Sequence, residues 1–350
     1  MPLNRIDPIV LEQIIKTQIP AVVLGAAGFF FATSNAKSAM SLASTRGVEA
    51  EQAPQRTWPG VVLAACASAI MLYGVLSQKV EIKWPISSAL DSTWWVALAG
   101  AVLAIVWAML GTNILGPLRD AAARRSQQMK VALAVVLLAA LVTCIWFAAW
   151  LPVHGKVETW TTSQQVWRLV SAFVLSKLFV GGMIALARKA TFGHVLAMSG
   201  VVGLAAQLFA LDFDGLRFAL ITGAIAVFLL VGAVIVAMRS AQHSLSRVGI
   251  IACAAAFSVL MVNIVLQASL FGGANERDAL IYASAIAVAP WAALLIDKLA
   301  TKVFGASAKA GSLGAVAVTA LAPSLGVVLV FAPAIALSVI RSGVLEDPMY

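Results

Sequence analysis

The chain has 350 residues, of which 61% are apolar and only 11% are charged. A soluble protein of this size needs more charge to cover its surface, so a soluble globular protein is excluded. The three cysteines lie inside apolar stretches, which argues against a disulfide framework and a metal cluster. The composition therefore predicts an integral membrane protein, and the lipid bilayer is its first expected partner.

Ten apolar runs are long enough to cross a hydrocarbon core of roughly 30 Å, which takes about 20 helical residues. They lack the alternation of apolar and polar residues that a transmembrane barrel strand shows. We therefore predict an all-α, polytopic membrane protein that forms a single transmembrane domain over residues 1–350. The predicted spans are 18–34, 58–77, 94–116, 130–151, 166–187, 194–211, 216–238, 248–271, 279–299 and 313–340.

Basic residues are distributed unevenly between alternate loops. One set of loops holds fourteen lysines and arginines, and the alternate set, which includes both termini, holds eight. The more basic set consists of 35–57, 117–130, 188–193, 239–247 and 300–312, with Lys298 at its edge. Because basic loops remain in the cytoplasm, both termini are predicted to lie outside, and we expect a bacterial inner membrane. The net charge of +9 has this origin, so no nucleic-acid partner is expected.

Prolines mark irregular points in the first and last spans. Asp7 and Pro8 are typical of a helix start, and we predict an interfacial helix over 8–19 that kinks at Pro20. The last span is long and contains Pro323 and Pro333. These prolines are compatible with a bent, tilted helix or with a discontinuous helix beside a binding site.

Lys177 is the most informative residue, because it lies near the middle of the fifth predicted span. At roughly 15 Å from either boundary, its side chain is too short to bring the ammonium fully to water. A lysine at this depth costs at least about 2.5 kcal/mol, so it is a candidate functional residue. The chain offers no obvious counter-ion, since all fifteen acidic residues fall in loops or at span ends.

Several environments would explain this lysine. It could face a watery cavity and bind an anion, remain neutral because of desolvation, or pair with another chain or a lipid. A shifted or broken fifth span would instead place Lys177 at a surface.

Asn263 and Gln267 are four residues apart in the eighth predicted span and therefore share one helix face. Such amides either bridge helices by hydrogen bonds or line a polar path. We predict that these two amides and Lys177 form a substrate-binding path. Gln207 and Asn113 are weaker candidates of the same kind.

Several common catalytic and cofactor motifs are absent from the sequence. His154 and His243 lie in loops and His194 at a span edge, so no deep pair of histidines can hold a haem. The sequence has no H-E-x-x-H zinc motif and no phosphate-binding G-x-x-x-x-G-K-[ST] loop. Asp212 and Asp214 are predicted to occupy a short turn. We therefore assign no catalytic residue, metal ligand or cofactor.

Two functions fit these features best. The first is a permease that moves a small anionic or polar solute along a path around Lys177. The alternative is a non-catalytic membrane subunit of a larger respiratory, secretion or envelope complex, bound to its partners through Lys177 and small-residue faces such as Ala283, Ala287, Ala332 and Ala336. A lipid-modifying enzyme is a third hypothesis, with Asp120, Asp212, Asp214 and Asp297 as the available acids, but a non-enzymatic role is favoured.

Overall fold

The computed structural model describes residues 8–35, 58–78, 89–113, 161–211, 215–239, 243–271, 276–309 and 312–341. Within these ranges the chain forms nine long helices and two three-residue strands. The helices are α1 Pro8–Ala32, α2 Trp58–Ser77, α3 Ala89–Asn113, α4 Thr162–Lys189, α5 Phe192–Leu211, α6 Leu216–Arg239, α7 Arg247–Phe271, α8 Glu276–Lys309 and α9 Leu313–Arg341. The strands are β1 Thr33–Asn35 and β2 His243–Leu245.

Every one of these nine helices is long and apolar enough to cross a membrane. The prediction of an all-α, polytopic membrane protein is therefore confirmed. In lipid a helix satisfies its own backbone hydrogen bonds, which explains why each apolar run adopts this structure. The predicted span 130–151 and the Asp212–Asp214 turn lie outside the described residues.

Three helices, α1, α8 and α9, bear on the predictions made about prolines and helix ends. Helix α1 continues through Pro20, so the predicted interfacial helix and the first span form one helix. Helix α8 ends at Lys309, ten residues beyond the predicted span, because hydropathy detects the membrane boundary and not the helix end. Helix α9 is continuous from Leu313 to Arg341 despite Pro323 and Pro333, so the discontinuous helix is not observed.

Helix α7 lies at the centre of the described bundle. It packs against α2, α3, α4 and α8, and it is the most buried of the described spans. From Ala252 to Ile264 its side chains are buried without interruption. Helices that contact α7 therefore have one face towards the core and another that is free to meet lipid or another protein.

Small residues allow the closest helix contacts. Gly60 of α2 and Gly249 of α7 meet so closely that a Cβ added at Gly249 would lie 2.8 Å from the Gly60 Cα. In α9, a Cβ added at Gly326 would lie 2.6 Å from the carbonyl oxygen of Ala292 in α8. Such contacts are characteristic of membrane bundles, where van der Waals packing replaces the hydrophobic effect.

The two strands join α1 to the connection between α6 and α7. They pair antiparallel, with Ser34 opposite Ser244. Beside them, the Arg239 guanidinium donates hydrogen bonds to the Phe30 carbonyl oxygen at 2.6 Å and to Thr33 Oγ1 at 2.5 Å. The guanidinium also lies 4.3 Å from the centre of the Phe30 ring. This arrangement ties two distant segments together at one end of the bundle.

Candidate functional site

The two ends of α4 place Lys177 near the middle of the helix. Thr161 caps the start of the helix, since its hydroxyl accepts from the Gln164 backbone N–H and the Gln164 side chain accepts from the Thr161 N–H. The helix stops at Ala190, whose φ of 53° is left-handed and turns the chain towards α5. The fifth span is therefore neither broken nor shifted, and Lys177 remains deep within it.

The Lys177 side chain is exposed on the outside of the described bundle. It belongs to a row of exposed residues that we name the Lys177 stripe: Val166, Trp167, Val170, Val174, Lys177 and Leu178. These residues recur every three or four positions, so they lie on one side of α4. Apart from the lysine the stripe is wholly apolar. No carboxylate of the described residues forms an ion pair with Lys177.

Asn263 and Gln267 lie in a different environment, inside the bundle on α7. Both side chains are buried, with 3% and 2% of their surface exposed. The Gln267 amide nitrogen donates to Ser92 Oγ at 2.7 Å, and its amide oxygen accepts from Thr93 Oγ1 at 3.3 Å. Gln267 therefore forms hydrogen bonds between α7 and α3. This is the first of the two roles that the sequence allowed for the amide.

The Asn263 side chain, unlike that of Gln267, has an amide nitrogen that donates no hydrogen bond to a described residue. The hydroxyl of Ser176, which precedes Lys177 and is also buried, likewise lacks a hydrogen-bond partner in this part of the chain. Because buried polar groups are normally hydrogen-bonded, these two positions are places where a polar ligand or water would be stabilised.

The structure does not join the three predicted site residues. Within the described ranges no hydrogen bond connects Lys177 with Asn263 or Gln267. The lysine is exposed, whereas both amides are buried. Their common assignment to a substrate path stays a prediction. Of the weaker candidates, Gln207 is exposed, and the Asn113 side chain lies outside what is described.

A buried polar contact that the sequence did not reveal joins α5 to α8. His194 Nε2 lies 3.3 Å from Asp297 Oδ2, a distance suited to electrostatic attraction but without hydrogen-bond geometry. On the other side of the ring, Thr191 Oγ1 lies 2.6 Å from His194 Nδ1. If the Thr191 hydroxyl donates, the proton of a neutral His194 is on Nε2 and faces the carboxylate. This contact clamps the start of α5 to α8.

A small open cavity lies close to this clamp. It has a volume of about 340 Å³ and is lined by Ala185, Arg188, Lys189 and Leu294. The two basic residues belong to the last turn of α4, and Leu294 is one turn before Asp297 in α8. The cavity therefore combines two cationic side chains with an apolar wall.

A larger apolar groove of about 530 Å³ lies between α5 and α9. Ala332 and Ala336 line it and are exposed, which leaves them accessible to lipid or to another chain. Ala283 and Ala287, also considered as faces for partner subunits, are instead buried among the chain's own helices.

The described residues contain no group of three histidine, cysteine or acidic side chains placed to hold a metal ion. Comparison of the chain with protein-family models, with curated proteins and with solved structures finds no match. Function must therefore be inferred from the geometry alone.

Proposed function

We propose that the chain is a non-catalytic subunit of a larger membrane assembly, and that the Lys177 stripe binds a second transmembrane protein. The observation that carries the proposal is the exposed position of Lys177, at mid-helix and on the outer side of α4. In an isolated chain this side chain would face hydrocarbon.

The energetic argument rests on the cost of that position. A lysine facing lipid at the bilayer centre costs at least about 2.5 kcal/mol, and more in some treatments. A carboxylate on a neighbouring helix removes much of this cost, because two opposite charges attract strongly where the dielectric constant is low. Since no described acidic residue of this chain pairs with Lys177, a partner with an aspartate or glutamate in its span is the simplest source.

The surroundings of Lys177 also suit a protein partner. Trp291 of α8 is 42% exposed, and its indole N–H donates to the Leu178 carbonyl oxygen at 2.8 Å. Tryptophan is enriched among the residues that dominate binding energy at interfaces. Tryptophans that contact only lipid are enriched at the membrane boundary, where Trp167 lies. Trp291 is instead near the middle of its span.

The proposal is tested by crosslinking in intact membranes. A photoreactive amino acid at Val174, within the stripe, should form one adduct with a membrane protein that has an acidic residue in a span. The control position is Leu329 of α9, which is also exposed but lies outside the stripe. Lys177→Leu should reduce the Val174 adduct at least about tenfold, since loss of one member of a buried charge pair costs 2–5 kcal/mol. Lys177→Arg should preserve it.

Two results would refute the subunit proposal. One is a Val174 probe that yields only lipid adducts, and the other is a protein adduct that Lys177→Leu leaves unchanged. Exchange of the charges gives a further test. Lys177→Glu should abolish the adduct, and replacement of the partner's acidic residue by lysine should restore it.

The permease remains a second candidate, and the observation that favours it is the pair of unsatisfied buried groups on α4 and α7. Ser176 Oγ and the Asn263 amide nitrogen have no described hydrogen-bond partner, and these two helices pack together. The purified chain alone, in liposomes, would then transport labelled phosphate, acetate or succinate. Asn263→Leu should reduce that uptake. Uptake equal to that of empty liposomes for every anion would count against transport of these solutes.

We also propose that the basic loops lie in the cytoplasm of a bacterial inner membrane and that both termini lie outside. The support is the fourteen-to-eight distribution of basic residues between alternate loops. In intact cells, a membrane-impermeant thiol reagent should label Thr161→Cys and not Ser312→Cys. The opposite pattern would reverse the assignment.

A further inference from the structure

The end of α4 carries a second feature that the subunit proposal does not use. Arg188 and Lys189 form its last turn, and the left-handed Ala190 then turns the chain sharply into α5. Both basic residues line the cavity of about 340 Å³, which lies at the end of a membrane span. Lys189 is exposed, and Arg188 is half-buried.

The wall of this cavity is apolar on the side towards the middle of the helix. Ala185 is one turn before Arg188 in α4, and Leu294 of α8 faces the same space. A cavity with cations at its outer edge and apolar side chains at its inner edge matches a molecule with an anionic head and a hydrocarbon chain. Its volume is at the lower end of the range for small-molecule sites, which is roughly 300–1,000 Å³.

The two charged residues that line the cavity, Arg188 and Lys189, are both basic. Asp297, one turn beyond Leu294, is the nearest described acid on α8, and it faces His194 at 3.3 Å. Lys298 and Lys302, further along α8, are exposed. A negatively charged ligand therefore meets two lining cations, and the nearest acid described on α8 already faces His194.

We propose that this cavity binds an anionic phospholipid. The Arg188 guanidinium and the Lys189 ammonium hold the phosphate, and the upper part of an acyl chain lies along Ala185 and Leu294. Arginine suits this role because its planar group presents paired N–H donors to phosphate oxygens. Basic pockets between transmembrane helices on the cytoplasmic side bind anionic headgroups by the same chemistry.

The test measures lipid binding to the full-length, delipidated protein in mild detergent by native mass spectrometry. The probes are phosphatidylglycerol, phosphatidylcholine and inorganic phosphate. Phosphatidylglycerol should bind more tightly than phosphatidylcholine. The double variant Arg188→Gln, Lys189→Gln should weaken that binding about thirtyfold, since each basic residue contributes about 1 kcal/mol to attraction of anionic lipid.

A matched double variant controls for net charge. Arg277→Gln, Lys16→Gln removes one arginine on α8 and one lysine on α1, both exposed and neither lining the cavity, and it should leave binding unchanged. Ala185→Leu tests the apolar wall separately, because it fills the cavity and keeps both charges. It should also weaken lipid binding, which provides a test if the charge variant does not fold.

Three outcomes would overturn the lipid site. They are equal binding of the two phospholipids, phosphatidylglycerol binding that neither the charge variant nor Ala185→Leu weakens, and inorganic phosphate that competes fully with the lipid. The last outcome would identify a site for a soluble anion. None of these measurements involves Lys177, so failure here leaves the subunit proposal untouched.

Discussion

Gln267 and Lys177 are both polar residues within apolar spans, but they differ in burial and in bonding partners. Gln267 of α7 is buried and bonded to Ser92 and Thr93 of α3. Lys177 of α4 is exposed among apolar residues and pairs with no described acid. The amide thus contributes to the chain's own cohesion, whereas the lysine faces whatever surrounds the chain.

This difference shows that depth in the membrane does not define the role of a polar residue. A buried group whose partners come from its own chain contributes packing specificity and a modest stabilisation. A charged group on an outer face makes no ion pair inside the described bundle, and we propose that its role is a contact with another molecule. If this distinction is right, substitutions in the interior should alter the free energy of unfolding, and substitutions in the Lys177 stripe should mainly alter binding.

Among these substitutions the largest effect on unfolding is expected at Gly326 of α9, where the helix packs closely against the α8 backbone. A Cβ there would lie 2.6 Å from the Ala292 carbonyl oxygen and 2.7 Å from the Ala293 Cα of α8. These are backbone atoms, so they cannot move aside cheaply. Gly326→Ala should therefore lower the free energy of unfolding by about 1–3 kcal/mol. Thermal unfolding in detergent, followed by helical circular dichroism, would measure this.

Gly314→Ala is the matched control, because Gly314 is on the same helix and an added Cβ would meet nothing within 4 Å. It should unfold at the wild-type temperature or slightly above, since alanine is a better helix former than glycine. Equal melting temperatures for the two variants would show that α8 and α9 leave room for a methyl group at Gly326.

A smaller effect is expected for Gln267→Leu. The substitution removes both bonds to α3 and leaves the Ser92 and Thr93 hydroxyls without the amide. Hydrogen bonds between membrane helices contribute about 0.6 kcal/mol on average and about 1.7 kcal/mol at most. We expect a loss of about 1 kcal/mol in stability, measured by the same thermal unfolding.

Lys177→Leu provides the direct comparison with Gln267→Leu. It removes an exposed cation that has no described ion-pair partner, so the purified chain should be as stable as wild type in detergent. If Lys177→Leu destabilised the chain and Gln267→Leu did not, the assignment of Gln267 to stability and of Lys177 to binding would be refuted.

The spans could be predicted from sequence because hydropathy and helix formation coincide in lipid. The predicted span 58–77 and helix α2 have the same limits. The prediction for α8 ended too early because Asp297, Lys298 and Lys302 interrupt the apolar run, although the alanines and lysines that follow still favour helix. The pairing of β1 with β2 was not predicted, since three-residue strands give no periodic signal and these two are far apart in the chain.

The environment of each polar residue could not be predicted in the same way. Hydropathy places Lys177 and Asn263 at their depths but does not say which helices surround them. The clamp between His194 and Asp297 joins residues about a hundred positions apart, and each looked like an ordinary residue at a span end. Helix neighbours depend on packing between many surfaces, and a single sequence contains no direct signal for that.

A loss of stability smaller than that of Gln267→Leu is expected for Trp291→Phe, where α8 meets the outer side of α4. The indole N–H donates to the Leu178 carbonyl oxygen at 2.8 Å, directly after Lys177 in the chain. Phenylalanine retains most of the ring contact and loses this one bond, so we expect a loss of about 0.5 kcal/mol, the lower end for a single hydrogen bond. Trp167→Phe, at a position that is 67% exposed, is the control and should unfold like wild type. If Trp291→Phe proved as destabilising as Gln267→Leu, the outer face of α4 would be coupled to the fold as strongly as the interior. The distinction between a cohesive inside and a binding outside would then have to be abandoned.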